Sequence, residues 1–97
     1  MMTFEEFKKT LSLEQPPASA SPQLQAMWVE AKGDWERAHR IVQDINDADA
    51  AWVHAYLHRK EGDRGNAAYW YRRAGQRHRE QTFDEEWEQI VRTLLER

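Results

Sequence analysis

Two Gly-Asp pairs, Gly33-Asp34 and Gly62-Asp63, stand 29 residues apart, and each is followed by an alanine five residues after its glycine, Ala38 and Ala67. A glycine directly after a helix takes the left-handed conformation that ends it, and an aspartate next to it accepts a hydrogen bond from the free amides that open the following helix. Each pair therefore predicts a tight turn between two antiparallel helices. The small alanine lets the paired helices come close, and the bulky residues four positions on, Val42 and Tyr71, fill the space beside it.

The flanking stretches carry apolar residues at helical spacing. The first helix is expected from Thr3 to about Leu13, opened by the capping box Thr3-Phe4-Glu5-Glu6 and striped by Phe4, Phe7 and Leu11. Residues 1–14 read as an N-terminal capping helix, residues 15–21 as a Pro- and Ser-rich linker, and residues 22–97 as the helical domain. Within that domain Ser21-Pro22 opens a helix carrying Leu24, Met27, Trp28 and Ala31. The next is expected over Trp35 to Ile45, and a central one over Ala50 to Glu61 with Trp52, Val53, Ala55, Tyr56 and Leu57. A fifth follows Gly62-Asp63 and closes at Gly75, and a sixth starts at the capping box Thr82-Phe83-Asp84-Glu85. The fold class predicted is all-α, built of antiparallel helical hairpins, with about five to six helices.

Composition narrows the function classes. The 97 residues hold 14 Lys and Arg against 17 Asp and Glu, a net charge of −3, and no Cys, so disulfides, thiolate metal sites and cysteine nucleophiles are excluded. A hydrophobic content of 40% supports one small core. No apolar run approaches the roughly 20 residues of a membrane span, and the acidic start Met1-Met2-Thr3-Phe4-Glu5-Glu6 lacks the basic and apolar regions of a leader, so a cytoplasmic protein without membrane contact is expected.

In Gly62, Asp63, Ala67, Tyr71 and Ala74, and less completely in Gly33, Asp34, Trp35, Ala38 and Val42, the chain resembles the tetratricopeptide-repeat family over roughly Leu24 to Gly75. The spacing of 29 is shorter than the ~34 of that family, and no proline closes either unit. The resemblance implies an α–α superhelix that binds a protein or peptide partner and performs no catalysis. It implies a concave surface presenting Trp52, Tyr56, Arg59 and Lys60, an aromatic and cationic set suited to an acidic partner. Trp70 and Arg73 extend that candidate surface. Fewer than three units bury a continuous core poorly, so terminal caps or self-association are expected.

Two other constellations carry chemistry. His54 and His58 stand four apart on one helix with Glu61 three further on, a strip of potential metal ligands. Two histidines make half a zinc site, and His39 and His78 belong to other helices, so no metal and no cofactor are expected. The pair is expected instead in a partly buried polar seam with Asp63, Asn66 and Tyr71, a candidate site as it stands. The segment Arg59 to Arg79 carries seven Arg and Lys against Glu61 and Asp63, interleaved with Tyr69, Trp70 and Tyr71, as a binder of nucleic acid or phosphate-rich ligands would. The acidic residues after it and a pI of 5.8 weigh against nucleic acid. Phosphate loops, nucleophile elbows and dinucleotide fingerprints are missing, so a non-enzymatic interaction module is expected, with a small enzyme or metal site at His54 and His58 as the lesser alternative.

Overall fold

The computed structural model describes residues 2–77 and 80–97. Over these residues the chain is all-α, with six α-helices and no strand. α1 (Phe4–Lys9) runs into one 3-10 turn, Thr10–Ser12. α2 (Pro22–Ala31) and α3 (Trp35–Val42) form one hairpin, α4 (Ala48–Lys60) and α5 (Arg64–Ala74) a second, and α6 (Phe83–Leu95) follows. His78 and Arg79, the latter closing the basic segment, lie outside the described residues. No helix among the described residues is long and apolar enough to cross a membrane.

Both Gly-Asp turns form as their chemistry dictates. Gly33 and Gly62 sit at φ +93° and +84°, and the amides of Asp34 and Asp63 reach back to the carbonyls of Val29 and His58 at 3.0 and 2.9 Å, which satisfies the open end of the preceding helix. The Asp34 and Asp63 side chains then accept from the amides of Arg37 and Asn66. The capping boxes at Thr3 and Thr82 also close, each with its Glu side chain accepting from the cap amide.

α4 is the centre of the molecule. It packs against α2, α3, α5 and α6, and every residue from Ala50 to His58 is buried. Its partners cover its whole circumference, so its polar side chains must find partners inside the protein.

The C-terminal helix settles where an unfilled groove would lie. Trp87, Ile90, Val91 and Leu94 of α6 are buried against α2 and α4, and the Trp87 indole donates to the Met27 carbonyl at 3.1 Å. α1 closes over the other side, with the Phe4 and Phe7 rings 5.9 and 6.1 Å from the Trp87 ring. The N-terminal helix thus packs on its own chain. Where α6 meets α4 and α5 lies a buried carboxylate, Glu86. It accepts from the Tyr71 hydroxyl at 2.6 Å, Arg59 Nη1 at 3.0 Å and Trp52 Nε1 at 3.3 Å.

That closure changes the expected binding surface. Trp52 is 4% and Tyr56 1% exposed, and the Tyr56 hydroxyl meets the Phe83 carbonyl of α6. Arg59 is engaged by Glu86 and the Gln81 carbonyl, and Lys60 pairs with the buried Glu30 at 2.6 Å. Trp52, Tyr56 and Arg59 are covered by the chain's own sixth helix, because an amphipathic helix needs an apolar groove and two hairpins supply one, while Lys60 stays exposed beside Glu30 of α2.

Candidate metal centre

On the side of α4 away from α6, three histidines converge. His54 and His58 lie one turn apart on α4, and His39 comes from α3 of the other hairpin. Their candidate ligand nitrogens all lie within 4.8 Å of one another, and His39 Nε2 and His54 Nε2 are 3.0 Å apart. His54 and His58 stack at 4.9 Å between ring centres, and His39 stands edge-on to both, at 4.6 and 5.4 Å.

Two tryptophans wall the cluster. Trp70 of α5 lies flat on His54 at 3.9 Å, and Trp35 of α3 lies flat on His39 at 5.0 Å. The Trp35 indole is itself held by a 2.7 Å hydrogen bond to the Leu57 carbonyl. Outside Trp70 the Arg73 guanidinium lies 5.0 Å from its ring and donates to the Asn46 side chain. His54 and His58 are buried, while His39, Trp35 and Trp70 are half-buried and form the edge open to solvent.

Burial sets the charge state of the cluster. Desolvation, and then the neighbouring His39 and His58, push His54 down to about 4, and burial, and then His58, lowers His39 as well. Both rings are therefore neutral at pH 7, the form that offers a lone pair to a metal. His58 Nδ1 lies 2.5 Å from Glu61 Oε1. When neutral, that ring donates Nδ1–H to the carboxylate and keeps its Nε2 lone pair bare.

The polar seam expected around His54 and His58 is thus differently composed. Asp63 stays beside His58 as expected, its carboxylate, that of Glu61 and a His58 nitrogen all within 4.8 Å of one another, and it also bonds Asn66 at 2.8 Å as the cap of α5; the Tyr71 hydroxyl turns away to Glu86. The hydrogen-bond partners of the two α4 histidines are His39 and Glu61. Sequence spacing misses His39 because it stands 15 residues before His54, a separation that has no meaning until the crossing of α3 on α4 is known. Trp70 and Arg73 do reach the surface, Trp70 in part, beside the exposed Tyr69. Arg72, Arg73 and Arg77 are likewise exposed.

Chemically, the arrangement is a set of three imidazole donors with one carboxylate orienting a donor from outside. Around a tetrahedral ion bound at about 2.0–2.1 Å, donor nitrogens stand about 3.3–3.4 Å apart, so modest ring rotations bring these three into place. Comparison with protein-family models, with curated proteins and with solved structures finds no match for this chain.

Proposed function

We propose that this chain is a metal-binding helical domain that holds one divalent transition-metal ion between its two hairpins through His39, His54 and His58. The observation that carries the proposal is the convergence of three imidazoles, two held neutral by burial, from both hairpins within 4.8 Å. All-imidazole coordination favours zinc, copper, nickel or cobalt over magnesium and calcium, which take oxygen ligands. Glu61 plays the outer carboxylate that orients a ligating histidine. Because His39 rides on α3 and the other two on α4, the bound ion ties the first hairpin to the second.

The test is thermal unfolding of chelator-treated protein with and without zinc. At one hundred times Kd the ion adds about 2.7 kcal/mol, which raises Tm by about 10–20 °C in a domain of this size. His39→Ala, whose side chain is only half-buried, removes that rise while keeping the helical circular dichroism. An unchanged Tm with zinc, nickel and copper alike overturns the proposal.

A protein or peptide partner is a second reading, favoured by one surface. Tyr69 is exposed, Trp70 is half-buried, and Arg73 lies over both rings at 5.8 and 5.0 Å with no carboxylate bonded to it among the described residues. An acidic partner would meet the molecule there, since Trp52, Tyr56 and Arg59 are covered by α6.

A further inference from the structure

We infer that the outer face of α5 binds single-stranded nucleic acid, with Arg72, Arg73 and Arg77 on the phosphates and Tyr69 as a stacking face for one base. The inference goes beyond the metal-binding reading and does not depend on it. It takes the surface of the second reading for a different class of partner.

Unpaired charge supplies the first argument. From Arg64 to Arg77 the chain carries four Arg and no Asp or Glu. The acidic residues that follow weigh against a polyanion in the sequence, because they could close this basic face. In the fold they are engaged elsewhere: Glu85 accepts from the Thr82 amide, Glu86 from Arg59 and Glu88 from Arg92. Among the described residues Arg64, Arg72 and Arg77 have no hydrogen bond or ion pair, and Arg73 bonds to no carboxylate. Arg72 and Arg73 complement the C-terminal end of the α5 dipole, which accounts for their position and leaves most of their donors unused. At 0.1 M salt, charges farther off than about 10 Å are screened, so this local excess outweighs the net charge of −3 in deciding what approaches α5.

Preorganisation supplies the second. Arg73 donates to the Tyr69 hydroxyl at 3.2 Å and to the Asn46 side-chain oxygen at 3.1 Å, and lies over the Tyr69 and Trp70 rings at 5.8 and 5.0 Å. All these partners are neutral. The guanidinium is therefore fixed with its charge uncompensated, and its freedom is lost on folding rather than on binding. Of the two carboxylates flanking Asn46, Asp47 is taken up by the α4 cap and Gln23, while Asp44 is exposed, so the strand runs from Arg73 toward Arg72 and Arg77, away from that turn.

The third argument separates a nucleic acid from an acidic peptide. Arginines suit carboxylates and phosphates alike, but a base also stacks on an exposed aromatic ring. Tyr69 is 44% exposed, and its hydroxyl, which accepts from Arg73, keeps its own proton to donate. Beside Arg64 a cleft of about 880 Å³ opens between α5 and residues 80–83, lined by Ala67, Ala68 and the exposed Phe83. Glu80 and Glu85 also line it, so it repels phosphate and leaves room for a neighbouring base.

The experiment follows the anisotropy of a fluorescein-labelled oligothymidylate on adding the full chain, kept free of metal by chelator. With three phosphates neutralised, the slope of log K against log salt should be about −2, so binding weakens on the order of 20-fold between 50 and 200 mM salt. Arg72→Ala/Arg73→Ala, checked by circular dichroism, should lose at least tenfold. Arg72→Gln/Arg77→Gln, which breaks no contact of the fold, should lose as much. Tyr69→Ala should lose at least about fivefold through stacking. Lys8→Ala/Lys9→Ala removes the same charge from the exposed side of α1 and should stay within twofold. No rise in anisotropy at 50 mM salt, or an equal loss in the Lys8/Lys9 and Arg72/Arg73 variants, overturns the inference. So does poly-glutamate that displaces the strand as well as unlabelled oligothymidylate does, which gives the surface to an acidic peptide. Each of these results leaves the metal-binding reading standing.

Discussion

Replacing Glu86 by alanine tests whether α6 is a fixed part of the core or a plug that a partner could displace. The carboxylate is 2% exposed and accepts from Arg59, Tyr71 and Trp52 at once. Removing one partner of a buried ion pair costs about 3–5 kcal/mol, because the remaining charge keeps its desolvation penalty. Arg59 is one-fifth exposed and retains the Gln81 carbonyl, which places the loss at the lower end, about 3 kcal/mol. In a domain of about 100 residues each kcal/mol moves Tm by about 4–8 °C, so Glu86→Ala should melt roughly 12–24 °C early. Glu86→Gln keeps an acceptor for the Tyr71 hydroxyl and should lose about half as much. The assay is urea unfolding followed by tryptophan fluorescence, paired with a Glu86→Ala/Arg59→Ala cycle in which the two losses should fall well short of additive. A loss under about 1 kcal/mol, with additive single variants, would refute the reasoning: the carboxylate would then be solvated and the groove beneath α6 accessible to a partner.

In the metal-free protein, His54 binds its proton near pH 4 when folded and near 6.5 when unfolded, so the unfolded chain takes up protons first as pH falls. Stability is then full above about pH 6.5 and is lost on going down to about pH 4, by on the order of 3 kcal/mol; urea midpoints across that range should show it, and His54→Gln should flatten the slope. Gly62→Ala meets open space but places a side chain at φ +84°, so it should cost about 1–2 kcal/mol through backbone strain alone and leave the near-ultraviolet spectrum unchanged. Ala38→Leu overfills a position with no exposed surface and should cost about 1–3 kcal/mol and, by shifting α3, weaken zinc binding without altering a ligand; unchanged calorimetric zinc affinity would contradict that coupling.

The helices were legible because their ends are written in local chemistry. Thr3, Ser21, Asp34, Asp47, Asp63 and Thr82 each accept from an amide of their own helix, and such bonds need no tertiary information. Where the expected boundary moves, a local bond again decides. α4 begins at Ala48 rather than Ala50 because the Asp47 carboxylate caps the Ala50 amide at 2.7 Å, and α3 stops at Val42, with the Ile45 amide turned back to the Val42 carbonyl. The occupancy of the groove was not legible in that way. The buried stripe of α6 is plain in Trp87, Ile90, Val91 and Leu94, but which surface it covers depends on what two hairpins leave open, and a longer array of repeats would leave its sixth helix a different place.

The candidate centre shows how far local reading reaches. His54 and His58 share one face of a helix by their four-residue spacing, and that part was visible. The third donor follows from the same doubled unit that predicted the hairpins, one step removed. Ala38 is wholly buried and lets α3 lie close to its neighbours, and His39 is the next residue along the helix, turned about 100° from it. Ala38 faces the core, so His39 falls on the flank of α3 beside α4, where its ring meets His54 at 3.0 Å. In the second hairpin the residue after the matching Ala67 is Ala68, which is exposed, and the donors come from α4 instead. Among the described residues the three histidines meet where the first hairpin's second helix crosses the second hairpin's first, while both hairpins turn through the same Gly-Asp geometry.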